Sequence, residues 1–239
     1  MAATGPSAIA DQSASRLLTV WSAWGTVILG IAYSVAVLGA GAASGEFQDP
    51  YWAVAEILAL LGAPIMVGLT AAIHYCTPVG RRAFSLMAFG WMLITAGLTS
   101  TVHLIELTVA RRPDIVSSPE YHSLYAFQWP SLLNAMEICA WNLFLGLSLL
   151  FLAFAFPGGG KQRTVRQLLI ASGVLVIAGL IGPAVGDMRW RLIGVFGYGI
   201  VFPIACIMIG LVFKRPPERA EVQDGGTAAN LQKGKEHHG

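Results

Sequence analysis

Residues 131–156 read SLLNAMEICAWNLFLGLSLLFLAFAF, and this stretch decides the fold. Glu137 is its only charged side chain. An α-helix rises 1.5 Å per residue, so about 20 apolar residues cross a hydrocarbon core roughly 30 Å thick. This stretch exceeds that length. A helix on the surface of a soluble domain would need a polar face, which residues 143–156 lack.

Working outward, comparable runs occupy residues 17–40, 52–75, 84–109, 166–186 and 192–213. Chain breakers separate them: Asp49 with Pro50, Pro78 with Gly80, Pro113 and Pro119, Pro157 with Gly158 to Gly160, and Asp187. The pattern predicts an all-α polytopic membrane protein, a bundle of six transmembrane helices forming one membrane domain over 17–213. A flexible N-terminal tail is expected at 1–16 and a disordered cytoplasmic tail at 214–239, where small and polar residues cannot assemble a core. Composition agrees. Of 239 residues 55% are hydrophobic and 12% charged, with a mean hydropathy of +0.64, whereas a soluble domain carries about 25% charged residues. The lipid bilayer is therefore the expected partner. The first run is too long for the apolar region of a signal peptide, which extends about 7 to 15 residues.

Lys and Arg near the span ends set the orientation. One side holds Arg16, Arg81, Arg82, Lys161, Arg163, Arg166, Lys214, Arg215 and Arg219; the other holds Arg111, Arg112, Arg189 and Arg191. Nine against four places both termini in the cytoplasm, with Glu46 and Asp49 in the first outer loop. Arg outnumbers Lys by 11 to 4, which suggests a GC-rich, bacterial source and hence the plasma (inner) membrane. The basic residues form no aromatic-interleaved stripe, so nucleic acid is not an expected partner. Cys76, Cys139 and Cys206 are too widely spaced for a disulfide framework or a zinc pattern and read as small apolar residues.

Charges inside hydrocarbon cost about 2.5 to 3.5 kcal/mol each on insertion scales, so those present require a reason. Glu56 lies early in the second span, His103 and Glu106 late in the third, and Glu137 early in the fourth, all towards the outer side. Thr99, His103 and Glu106 share one helical face, as do Ser131, Asn134, Glu137 and Trp141. These faces belong to consecutive antiparallel spans, and Trp52 with Glu56 can add a third wall. A polar pocket built from Glu56, Thr99, His103, Glu106, Asn134 and Glu137 is expected.

Three chemistries suit such a set. In a small transporter the pocket binds a proton or a small polar or cationic ligand, with Glu137 as acceptor and His103 as its partner. In a metal-dependent membrane enzyme His103, Glu137, Glu56 and His122 from the loop hold a divalent metal, with Glu106 as general base. In a structural or accessory protein the same groups serve as interhelical hydrogen bonds. The transporter or ligand-binding reading is the one adopted. No HExxH, GxSxG or nucleotide-binding motif points to an enzyme, and no cofactor is predicted.

Other features read as structural. Thr95, Thr99 and Ser148 are expected to satisfy their hydroxyls on the helix backbone. Gly182 and Gly186 have small-xxx-small spacing for close helix approach, and Pro64, Pro183 and Pro203 interrupt three spans. His74 lies near the inner end of the second span, at a depth unlike that of His103, which disfavours a haem held by the two. Tyr121, His122, Tyr125, Phe127 and Trp129 in the longest loop suit either an aromatic belt or a lid over the cluster. Gly158 to Gly160 before Lys161 lack the strand and spacing of a phosphate loop.

Overall fold

The structure is a computed structural model that describes residues 6–41 and 49–214, with side chains from residue 12 onward. Among these residues there is no strand, and six helices are long and apolar enough to cross a membrane. We label them α1 Pro6–Gly39, α2 Tyr51–Cys76, α3 Arg82–Thr108, α4 Leu132–Ala153, α5 Gly160–Val185 and α6 Met188–Lys214. Residues 1–5 and 215–239 of the expected tails, and Glu46 of the first loop, lie outside the described residues. Residues 6–16 differ from the expected loose tail. The helix reaches back to Pro6, a residue suited to the first helical turn, through a stretch rich in Ala.

The chain runs up and down. Each helix packs on its sequence neighbour, α3 and α4 included although the long 109–131 connection joins them; α1 also packs along α6 and closes the bundle. Short helices at Pro113–Val116 and Tyr121–Leu124 shape that connection. One end of the bundle, the loop end, carries Asp49, Arg111 and Asp187. The other, the terminal end, carries the turns before α3 and α5 and the last residue of α6.

The bundle is organised for a lipid solvent. Trp21, Ile28, Ile31, Val35 and Leu38 of α1 are 60–70% exposed, while the interior collects Leu69, Met92, Leu145, Leu149, Leu169 and Ile209 together with buried Ser and Thr. Small residues bring the backbones close. A Cβ on Gly194 would lie 2.2 Å from Asn142 Nδ2, and one on Gly179 2.3 Å from the same atom. Asn142 is thereby pinned between α5 and α6, and its Nδ2 donates to Val176 O at 2.9 Å. Gly182 packs on the Arg191 backbone as its spacing suggested. Gly186 does not pack: it ends α5 with φ +75°, a left-handed turn open to α6.

Two helices contain a wide π turn, Cys139–Phe144 in α4 and Gly197–Val201 in α6. The second precedes Pro203, whose missing N–H breaks the regular ladder and leaves carbonyls to be satisfied elsewhere. Gly197 O accepts twice, from the Phe202 N–H within the wide turn and from the Ser172 hydroxyl of α5 at 2.9 Å. Ser148 also differs from expectation. It donates across the helix interface to Ala88 O at 2.8 Å and not along its own helix.

Candidate functional site

Ser131 starts the local architecture of α4. It caps the helix by accepting from the Asn134 N–H at 3.1 Å, while its own hydroxyl donates to Ala126 O. That cap sets the phase of α4 and turns Asn134 and Glu137 inward, where they are 3% and 4% exposed. On α3 the i, i+4, i+7 spacing buries Thr99, His103 and Glu106 on one face, and α2 presents Glu56, which is fully buried.

The imidazole of His103 joins the three helices. Its Nδ1 lies 2.5 Å from Glu56 Oε2 and its Nε2 lies 3.2 Å from Glu137 Oε1. Each contact between a ring nitrogen and a carboxyl oxygen contains one proton, carried either by the ring or by the acid. Two contacts therefore hold two protons. The triad carries one net negative charge whether it is an imidazolium between two carboxylates or a neutral ring beside one carboxylic acid. A proton can move along the line Glu56–His103–Glu137 with no change in that total.

Glu106 adds a third carboxyl group at the loop end of the cluster. It is buried, and the Trp52 indole donates to its carboxyl group. Phe127 from the long connection packs against Trp52, its ring tilted by 58° and the centroids 5.1 Å apart, and lies 6.3 Å from the His103 ring, so this one loop aromatic covers the triad. Arg111 fastens the cover by donating from Nε to Glu106 O at 3.0 Å and from Nη1 to Asp49.

Several oxygens of the cluster are buried without a hydrogen-bond partner: Glu56 Oε1, Glu106 Oε1, Glu137 Oε2, Asn134 Oδ1 and Thr99 Oγ1. Thr99 departs from expectation. Thr95, Thr101 and Thr108 of the same helix each donate to the carbonyl four residues earlier, at 3.0, 2.8 and 2.6 Å. The Thr99 hydroxyl makes no such bond, although it is fully buried one turn from His103.

The structure therefore brings together Glu56, His103 and Glu137, with Glu106, Asn134 and Thr99 around them. The enclosure is tighter than the expected pocket, since Glu56 and His103 are 0% and 1% exposed. His122 stays outside: it is exposed on its four-residue helix, with its ring against Tyr121. Among the described residues no group of three His, Cys, Asp or Glu is arranged to hold a metal ion. The reason is geometric, because both nitrogens of His103 already face carboxyl groups. His74, at the other end of α2, pairs with Ser85 Oγ at 2.8 Å.

Sequence reasoning missed the far wall. Tyr33 of α1 lies within electrostatic range of Glu137, Tyr198, Glu56 and Arg191, and Tyr198 of α6 within range of Arg191 and Glu137. Trp141, one turn beyond Glu137, packs on Tyr198 with centroids 5.1 Å apart. Trp141 was expected on the Glu137 face, but aromatic residues in an apolar helix give no periodic signal, so nothing in the sequence separated Tyr33 and Tyr198 from lipid-facing ones. Compared with known protein families, curated proteins and solved structures, the chain matches none of them.

Proposed function

We propose that this chain is a small proton-coupled transporter of a bacterial plasma membrane, with both termini cytoplasmic and the triad in the outer half of the bilayer. Glu56–His103–Glu137 takes up and releases the coupling proton. One observation carries the reading: a fully buried imidazole whose two nitrogens face carboxyl groups of two other spans. A proton is the ligand such a closed cluster can accept, since it needs no cavity and can enter by way of Glu106. A metal would have to displace one of the carboxyl groups from His103. The spare oxygens of Glu56, Glu106 and Glu137 support exchange over pure cross-linking, because a buried network built only for stability is satisfied throughout.

The closed packing of three spans around one ring also suits a purely structural triad, and infrared difference spectroscopy separates the two. Protein in liposomes is taken between about pH 5 and about pH 8, the range over which an exchangeable histidine–carboxylate system serves as a switch. A protonated-carboxyl band that changes with pH in the wild type, and is lost or shifted in folded Glu137→Gln and Glu56→Gln, supports the proposal. A folded wild type whose carboxyl bands do not change over this range refutes proton exchange and leaves the structural role.

A further inference from the structure

The terminal end of the bundle holds a second assembly, independent of the triad. At the loop end Arg111, Arg112 and Arg189 pair with Asp49, Asp114 and Asp187. At the terminal end Arg81, Arg82 and Arg166 pair with no carboxylate among the described residues, and no Asp or Glu whose side chain is described is placed there. Lys161, Arg163 and Lys214 add to the same charge. Cations also stand in the first turns of α5, which starts at Gly160 with no acidic residue and no capping side chain. Cations in the first turn oppose the helix dipole, so an anion there would be stabilised by both.

A cavity of about 110 Å³ opens at the same end, between the ends of α2, α4, α5 and α6. Thr77, Phe156, Phe213 and Gln162 are among its walls. Three arginines are anchored to the carbonyls of three of these wall residues. Arg82 Nε donates to Thr77 O at 3.4 Å, Arg81 Nη1 to Phe156 O at 3.1 Å, and Arg16 Nη2 to Phe213 O at 3.2 Å. Arg81 Nη1 also reaches Phe154 O at 3.0 Å, and Arg166 lies 5.2 Å above the Phe154 ring. The three guanidinium groups are thus held beside the wall of one opening, without themselves lining it. Gln162 Oε1 is a buried acceptor with no donor.

We propose that this opening binds an anionic phospholipid with a hydroxyl-bearing headgroup. Arg16, Arg81 and Arg82 hold the phosphate, and a headgroup hydroxyl donates to Gln162 Oε1. A lipid and not a free phosphate fits, because the arginines are flanked by Tyr75 and Val79, 74% and 78% exposed, and by Phe84 and Phe154, 41% and 38% exposed. Acyl chains cover such side chains.

The test is native mass spectrometry of the full chain released from nanodiscs of phosphatidylcholine, titrated with phosphatidylglycerol, phosphatidate or inorganic phosphate. Phosphatidylglycerol is expected to bind in preference to phosphatidylcholine. A basic side chain near an anionic surface is worth a factor of about five, so Arg82→Gln, an exposed site, should weaken that binding about fivefold. Gln162→Leu should remove the preference for phosphatidylglycerol over phosphatidate. Phosphatidylcholine binding equally, inorganic phosphate competing at equal concentration, or Arg82→Gln binding like the wild type would each overturn the proposal. None of these outcomes bears on the triad.

Discussion

Gly194→Ala tests whether the contact among α4, α5 and α6 is as close as it stands. Helix propensity alone predicts a gain, since Ala is favoured over Gly by about 1 kcal/mol in a helix interior. The packing predicts a loss. The new Cβ would lie 2.2 Å from Asn142 Nδ2, so the amide must leave Val176 O, to which it now donates at 2.9 Å. Overpacking costs about 1–3 kcal/mol, and an interhelical hydrogen bond in a membrane about 0.6 and up to about 1.7 kcal/mol. The sum, less the propensity gain, is a net destabilisation of about 1–4 kcal/mol. In an Asn142→Ala background the offending atom is absent, and the next neighbours, Gly179 Cα and Val176 O, are each 3.1 Å away. Gly194→Ala should then be close to neutral, giving a coupling of about 2 kcal/mol in a double-mutant cycle. Reversible unfolding in mixed detergent micelles measures all four proteins. Equal cost of Gly194→Ala in both backgrounds would refute the argument.

Two further substitutions follow from particular bonds. Thr99→Val removes a buried hydroxyl that makes no hydrogen bond, so the same unfolding assay should show stability unchanged or raised by up to about 1 kcal/mol, the low end of the cost of burying an unpaired hydroxyl; a clear loss would mean that the hydroxyl has a partner. At the loop end the side chain and backbone N–H of Arg189 hold the Asp187 carboxyl below its usual range. A depressed carboxylate contributes above its ordinary range and ceases to contribute as pH falls through its folded value. Arg189→Gln should therefore move the Asp187 titration upward, as followed by carboxyl NMR.

Much of the fold was legible because lipid imposes a length on every helix. The expected ends of α2, α3 and α6 lie within a few residues of the observed ones, and α4 closes at Ala153, short of residue 156. α5 begins at Gly160, six residues before the expected start, because Lys161 to Arg166 are helical without being apolar. The cluster was legible in part. Glu56, His103 and Glu137 stand out in hydrocarbon by charge alone, and helical spacing placed Thr99, Glu106 and Asn134 beside them. Tyr33, Tyr198 and the role of Asn142 were not, since in a helix apolar on every face no polar stripe reveals which side looks inward. The π turns were equally hidden. One is followed by Pro203 and the other, CAWNLF, contains no proline, so the two share no local pattern.

The depth of His103 has an electrical consequence. It lies five residues from the end of α3, roughly 8 Å or about a quarter of the hydrocarbon thickness. Moving one elementary charge through the full bilayer is worth about 2.3 kcal/mol per 100 mV. A proton that reaches the triad from the loop end would cross a quarter of that drop, about 0.6 kcal/mol, which moves its half-occupancy by about 0.4 pH unit. Entry from the terminal end would cross the other three quarters. The voltage dependence of proton occupancy therefore reports which face of the membrane the site is open to.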